Sequence, residues 1–180
     1  MTDSNYSNNP HYKKVNTEFI EIKKSKIHGT GVFASKDIPK GTKVIEYVGE
    51  IISKEESDKR ADAHFDRHKK DKENNGAVYI FELNDTHDID GDVPWNPAKY
   101  INHSCDPNCE TEITNDEIWI VSIKDIKKGE EISYNYCYDI DDFEEHPCRC
   151  GSEKCPGYIV DEEYWPKLRE LIEKKKSEKQ

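Results

Sequence analysis

The chain has 180 residues, of which 36% are charged and 33% hydrophobic, and its formal net charge is −11. This length predicts one domain with a hydrophobic core of its own. The acidic balance argues against a nucleic-acid-binding protein, which must neutralise phosphates with lysine and arginine. It favours a basic partner or simple solubility. No apolar run approaches the ~20 residues that span a bilayer, so we expect no membrane segment.

Residues 1–17 are polar and lack the basic and then apolar pattern of a signal peptide. We predict a mobile N-terminal arm there. A chain without an export signal is expected to be soluble and intracellular, in a reducing compartment. Its six cysteines therefore favour a metal site or buried thiols over disulfides.

Short apolar runs bounded by Gly, Pro and Asn follow the arm, and they are rich in Val, Ile, Tyr and Trp. This pattern predicts strands within a mostly β domain. The runs are FIEI (19–22), KVIEYVGEII (43–52), AVYIFEL (77–83), IWIVSI (118–123) and ISYNYCY (132–138). Two related segments, KDIPKGTKV and KDIKKGEEI, each place Lys-Gly in a turn before a new strand.

A helical insert is predicted at about residues 53–75. This range contains neither Gly nor Pro and carries seven acidic and seven basic side chains. Ser53 and Glu56 form a capping box at its start. His64 and His68 have a spacing that suits zinc, but no third ligand accompanies them, so a solvated surface helix is favoured.

The character changes after residue 138, because residues 139–163 hold nine acidic and two basic side chains, a net of −7. Cys148, Cys150 and Cys155 lie too close together to pair with one another as disulfides, and a structural zinc needs a fourth ligand. The candidates for the fourth ligand are Cys105, Cys109, Cys137 and His146. Such a zinc would fasten a segment with almost no hydrophobic content. Residues 161–180 end the chain with a predicted amphipathic helix and a lysine-rich tail.

The stretch KYINHSCDPNC (99–109) allows three interpretations: a nucleophilic site, half of a metal site or a polar turn. His103 beside Cys105 suggests the thiolate and imidazole of a cysteine hydrolase. Catalytic partners usually meet in space rather than along the chain, however.

Four stretches in this order resemble the SET-domain protein lysine methyltransferases: IHGTGVFA (27–34), VIEYVGEII (44–52), KYINHSCDPNC (99–109) and GEEISYNY (129–136). VIEYVG, SDKR and VYIFELND are most similar to the trithorax-like members. The resemblance implies a SET domain over 18–138, with small curled sheets and a knot-like threading near its C-terminal end. It implies a zinc-bound post-SET segment over 139–160.

The resemblance also implies S-adenosylmethionine as methyl donor and one structural zinc ion. The residues expected at the cofactor are His28, Gly29, Thr30, Gly31, Tyr79, Asn102 and His103. The expected zinc ligands are Cys105, Cys148, Cys150 and Cys155. That leaves Cys109 and Cys137 as buried thiols, and His146 without a metal role.

Tyr136 matches the family's catalytic tyrosine, and Tyr134 lies where the family carries Phe or Tyr. A hydroxyl at Tyr134 restricts the room for a methylated amine, so we expect mainly mono- or dimethylation. The expected substrate is a Lys/Arg-rich tail such as a histone tail, with no direct binding of nucleic acid or membrane. Some trithorax-like members need activating partner proteins. The expected location is the nucleus or chromatin if the protein is eukaryotic or is delivered to a host, and the cytoplasm if it is prokaryotic. The alternative is an inactive zinc-stapled interaction module with the same fold.

Overall fold

A computed structural model describes residues 6–70 and 79–178, and within residues 64–70 it describes the backbone alone. These residues form ten short strands and two α-helices. The strands are β1 (Ile20–Lys24), β2 (Thr30–Ala34), β3 (Lys43–Tyr47), β4 (Glu50–Ser53), β5 (Ile80–Glu82), β6 (His87–Asp90), β7 (Asn102–His103), β8 (Cys109–Thr114), β9 (Glu117–Ser122) and β10 (Glu131–Tyr134). The helices are α1 (Lys54–Lys70) and α2 (Trp165–Glu178). Neither helix combines the length and the apolar character that crossing a membrane requires.

The strands form three small sheets, with the orders β1-β2-β10-β7, β3-β9-β8 and β4-β6-β5. This confirms the predicted mostly β class. Strands β7 and β10 pair in parallel, with Ser133 opposite Asn102 and Tyr134 opposite His103. The predicted knot-like threading would depend on this pairing.

All five predicted apolar runs contain strands, but the run at 43–52 is divided into β3 and β4. The division falls at Val48-Gly49, where a side chain on Gly49 would collide with the carbonyl of Asp90. Strand β6 was not predicted from the sequence. Two of its three buried residues, Asp88 and Asp90, are charged, so it lacks an apolar pattern.

The chain divides into two compact units. The first contains the described residues up to Glu18 together with Lys43–Lys99 and Thr111–Ile120. Helix α1 begins as predicted, since the Ser53 hydroxyl accepts the Glu56 N–H at 3.3 Å. Arg60 then joins this helix to two strands by donating to Glu50 at 2.9 Å and to Asp90 at 2.6 Å. His64 and His68 lie outside the described side chains.

The segment predicted as a mobile arm makes defined contacts in this unit. The ring centroids of Tyr6 and Tyr12 lie 5.3 Å and 6.0 Å from that of Trp95. Lys13 forms ion pairs of 2.7 Å with Glu46 and with Glu117. Mobility of the arm remains a prediction, and these contacts argue against it.

The second unit contains Phe19–Thr42, Tyr100–Glu110 and the chain from Val121 onward. Its two related Lys-Gly segments pair with each other, because Ile38 and Ile126 exchange backbone hydrogen bonds of 2.8 Å and 2.9 Å. Both isoleucines are fully buried. All but one of the predicted cofactor, catalytic and metal residues lie in this unit, and the exception is Tyr79.

Candidate active site and metal centre

Asn102 supports the exposed turn at residues 28–30. Its side chain is buried, and its amide nitrogen lies 3.3 Å from the carbonyl of His28 and 3.2 Å from that of Thr30. The same nitrogen lies 2.8 Å from the Glu131 carboxylate. Asn102 is therefore placed to orient the backbone of the predicted cofactor turn.

Gly29 in this turn and Gly31 directly after it are required for different reasons. Gly29 has φ +43°, a left-handed conformation that glycine adopts at little cost, and the space beside its Cα is open. At Gly31 an added Cβ would collide with the Glu131 carboxylate and lie 2.9 Å from the Cβ of Ser25. Gly31 therefore serves close packing, and its predicted approach to a cofactor remains a prediction.

Glu131 is a site residue that was missed from the sequence. Its carboxylate accepts hydrogen bonds from Ser25 at 2.7 Å and from Asn102 at 2.8 Å. It thereby joins Ser25, which precedes the turn, to the Asn-His segment. Its position in the motif GEEISYNY was the only signal in the sequence that could have identified Glu131. Its partners, Ser25 and Asn102, are distant from it in the sequence.

Both ring nitrogens of His103 are engaged inside the protein. Nδ1 accepts the Tyr136 N–H at 3.2 Å, and Nε2 lies 3.3 Å from the Cys105 sulfur. The residue is 3% exposed. Any contact of His103 with a cofactor would therefore involve its backbone rather than its ring.

Tyr134 and Tyr136 lie side by side at the end of β10, with ring centroids 5.0 Å apart. The Tyr136 hydroxyl donates to the Ile101 carbonyl at 2.8 Å. This arrangement places two oxygen atoms next to the Asn-His segment, where they can accept weak hydrogen bonds from an electron-poor methyl group.

Tyr79 belongs to the first unit. Its carbonyl accepts hydrogen bonds from the Tyr47 hydroxyl and the Gly91 N–H, each at 2.8 Å. The Lys99 ammonium lies 5.7 Å from the centroid of its ring. The predicted contact of Tyr79 with a cofactor remains a prediction.

Four of the six cysteines form a cluster, in which the sulfur atoms all lie within 4.8 Å of one another. Its members are Cys105, Cys148, Cys150 and Cys155. The Cys105 and Cys148 sulfurs are 3.7 Å apart, whereas a tetrahedron with zinc–sulfur bonds of about 2.3 Å has sulfurs ~3.8 Å apart. All four thiols are free. The donor set and its spacing therefore fit a structural zinc ion.

The thiols perturb one another. The hydrogen bond between Cys105 and Cys148 lowers the pKa of Cys148 and raises the pKa of Cys105 well above its usual range. Burial raises the pKa of Cys155 to about 11. A divalent cation would reverse these upward shifts, because it stabilises thiolates directly.

The structure contradicts the cysteine-hydrolase interpretation of His103 and Cys105. Because Nδ1 accepts an N–H, a neutral imidazole carries its proton on Nε2, the nitrogen that faces the sulfur. That nitrogen cannot take a proton from Cys105. Cys105 is also a member of the sulfur cluster.

The post-SET segment has a hydrophobic cluster of its own, which the sequence analysis did not foresee. Ile140, Phe143, Val160 and Leu168 are at most 5% exposed and pack together. Leu168 belongs to α2, so the C-terminal helix covers the acidic segment. The prediction of a segment with almost no hydrophobic content was wrong.

The remaining thiols differ from each other. Cys109 is fully buried as predicted, and burial raises its pKa to about 12. Cys137 is exposed, so the prediction of a buried thiol was wrong there. Its backbone has φ +54°, so the chain is no longer extended at this position, three residues after the end of β10. His146 is not part of the sulfur cluster.

The SET domain family profile matches residues 29–137. The chain belongs to the SET-domain family. The matched range includes all the predicted SET-domain motifs except the first two residues of IHGTGVFA. The cysteines at 148–155 follow it, as expected for a post-SET segment.

Three relatives illustrate where this SET domain belongs. Histone-lysine N-methyltransferase 2D of Homo sapiens is 38% identical over 163 residues, which cover 86% of this chain and 3% of that protein. Histone-lysine N-methyltransferase trr of Drosophila melanogaster is 39% identical, with 86% and 6% covered. Histone-lysine N-methyltransferase trithorax of Drosophila virilis is 34% identical over 151 residues, with 82% and 4% covered. The predicted similarity to trithorax-like members is confirmed.

The chain thus spans a few per cent of the length of these relatives. The similarity concerns the SET domain and the segment after it.

Proposed function

We propose that the chain is an S-adenosylmethionine-dependent protein lysine N-methyltransferase. The observation that best supports this is the pair of oxygens formed by the Tyr136 hydroxyl and the Ile101 carbonyl, 2.8 Å apart. The pair lies beside Asn102-His103 within a SET domain, at the position of the family's catalytic tyrosine. An inactive relative would be expected to have lost the Tyr136 hydroxyl or the side chains of Asn102 and His103.

The cofactor would be held by residues 28–31, by Asn102 and by the backbone of His103. When bound, S-adenosylmethionine supplies an electrophilic methyl group. The open space beside Gly29 and the exposed side chains of His28 and Thr30 leave this turn accessible to a ligand. Asn102 would keep the turn in the conformation that the ligand meets.

Tyr136 would act by orientation. A lysine with a pKa of about 10.4 must lose a proton before its nitrogen can attack, at a cost of about 4 to 5 kcal/mol at neutral pH. A dry channel beside Tyr134 and Tyr136, as the family resemblance implies, would disfavour the ammonium form and reduce this cost. Alignment of nitrogen and methyl carbon by the hydroxyl and the carbonyl can supply roughly 7 to 11 kcal/mol. With the methyl donor bound, these residues would hold the lysine nitrogen in line with the methyl group, and no side-chain base would be required.

The four-cysteine cluster would hold one structural zinc, with Cys105 joining the SET domain to the post-SET segment. Such a site can contribute about 10 to 16 kcal/mol of apparent binding free energy. The hydrophobic cluster around Leu168 adds to this stabilisation. The zinc would have no part in methyl transfer.

The substrate would be a Lys/Arg-rich segment such as a histone tail. Residues 139–163 carry a net charge of −7, and the carboxylates of Asp141, Asp142 and Glu145 belong to exposed residues. Such a surface favours encounter with a basic peptide, and the attraction weakens with salt. Action at chromatin follows from this proposal, and partner proteins would supply any further targeting.

The product would be mainly mono- or dimethyllysine. Tyr134 is 6% exposed and its ring lies against that of Tyr136. Its hydroxyl would occupy room that a second or third methyl group needs.

The test incubates the protein with labelled S-adenosylmethionine and, in separate reactions, with mixed histones and with a cell lysate. Mass spectrometry then maps the modified lysines. We expect label on lysines in basic segments and a loss of rate at high salt. A protein that contains zinc, binds the cofactor and labels nothing in either mixture would instead be an inactive interaction module.

A further inference from the structure

Two sulfurs of the cluster accept a hydrogen bond from the backbone two residues later. The Cys148 sulfur lies 3.5 Å from the Cys150 N–H nitrogen, and the Cys155 sulfur lies 3.3 Å from that of Gly157. N–H donors of this kind offset the charge that four thiolates place around one divalent ion. They also orient each sulfur.

Cys105 cannot use the same device. The residue two positions later is Pro107, which has no N–H. The Cys105 sulfur meets the Nε2 atom of His103 instead, at 3.3 Å. The His103 side chain thus faces the Cys105 sulfur, whereas the sulfurs of Cys148 and Cys155 each have a backbone N–H donor.

The other contact of the imidazole determines which nitrogen carries the proton. Nδ1 faces the Tyr136 N–H at 3.2 Å and must accept. The proton of the neutral ring is therefore on Nε2 and points at the sulfur. Burial of His103 leaves no solvent to replace either bond.

We propose that His103 is a positioning residue that donates a hydrogen bond to the zinc-bound Cys105 thiolate and, through Nδ1, holds the backbone of Tyr136. It therefore couples the zinc centre to the strand end that carries the predicted catalytic tyrosine. This inference rests on the proposed zinc.

Two substitutions each retain one of the bonds. In His103→Gln the side-chain nitrogen can reach the position of Nε2 and donate to the sulfur, whereas the acceptor for Tyr136 is lost. In His103→Asn the side-chain oxygen can take the position of Nδ1, whereas the donor to the sulfur is lost. Each variant is thus the matched control of the other.

The experiment measures zinc affinity by competition with a chromogenic chelator and the hydrogen exchange of the Tyr136 amide. His103→Asn should bind zinc about 10- to 100-fold more weakly than the wild type, with unchanged exchange at Tyr136. His103→Gln should keep its zinc affinity while the Tyr136 amide exchanges about 3- to 10-fold faster.

Equal zinc affinities in the two variants, whether both reduced or both unchanged, would overturn the proposal. Wild-type protein that never binds zinc would instead refute the proposed metal centre, which distinguishes the two failures. If a variant does not fold, nitrogen-15 NMR of the zinc-loaded wild type decides the matter. A proton on Nε2 of His103 supports the proposal, and a proton on Nδ1 overturns it.

Discussion

Leu168→Ala tests whether the hydrophobic cluster stabilises the post-SET segment. Leu168 is completely buried against Ile140, Phe143 and Val160. Removing three carbon atoms forfeits about 2.4 kcal/mol of transfer free energy at ~0.8 kcal/mol for each carbon. The cavity left behind adds to this, so we expect a loss of about 3 kcal/mol, within the usual range of roughly 2 to 5 kcal/mol.

The assay is urea unfolding, combined with hydrogen exchange resolved over residues 139–172. Glu170→Ala is the matched control, because it changes an exposed residue of α2 and leaves the cluster intact. Faster exchange in 139–172 should accompany the loss of stability in Leu168→Ala alone. If that variant unfolds within about 0.5 kcal/mol of the control, the cluster does not stabilise the segment.

Three further predictions concern the site. Tyr134→Phe should raise the proportion of the higher methylation states in a mass spectrum of the product, and an unchanged distribution would contradict the role of the hydroxyl. Asn102→Asp places a carboxylate against the carbonyls of His28 and Thr30 and against the Glu131 carboxylate, and these groups repel it. S-adenosylmethionine should therefore bind at least about tenfold more weakly, as measured by calorimetry. Unaltered affinity would remove Asn102 from the cofactor site. Cys150→Ser should reduce the zinc content from about one ion per chain, measured by emission spectrometry, whereas Cys137→Ser should not, and equal contents in the two variants would place the metal elsewhere.

The sequence was informative where one local pattern decided the structure. Dense runs of β-branched and aromatic residues identified β9 and β10, and the capping box identified the first residues of α1. The short spacing of three cysteines indicated a metal site, and the family motifs indicated Cys105 as the fourth member of the cluster. These features depend on residues that are close together in the chain or on a family motif. Both can be recognised in a single sequence.

Features that depend on distant partners were not predicted. Strand β6 buries Asp88 and Asp90 because Lys54 and Arg60 reach them from α1, at 2.7 Å and 2.6 Å. The sequence around β6 does not indicate that Lys54 and Arg60 are its partners. In β6, ion pairing of buried aspartates replaces the apolar pattern that identified the other strands.

The hydrophobic cluster of the post-SET segment was missed for a related reason. Its four buried members are scattered singly among acidic residues between positions 140 and 168, so no periodic run exists. Likewise, His103 was assigned to the cofactor by motif, whereas its ring contacts were visible only once Cys105 and Tyr136 had been brought together.

The hydroxyl of Tyr136 provides the most direct test of the proposed activity. Single-turnover methyl transfer to a basic peptide, taken from a substrate found by labelling, should slow by about 100-fold in Tyr136→Phe. Cofactor binding should change little. Tyr138→Phe removes a hydroxyl from the neighbouring ring, 5.6 Å away between centroids, and should retain the wild-type rate. A Tyr136→Phe enzyme that transfers methyl groups as fast as the wild type would contradict the proposed role of this tyrosine.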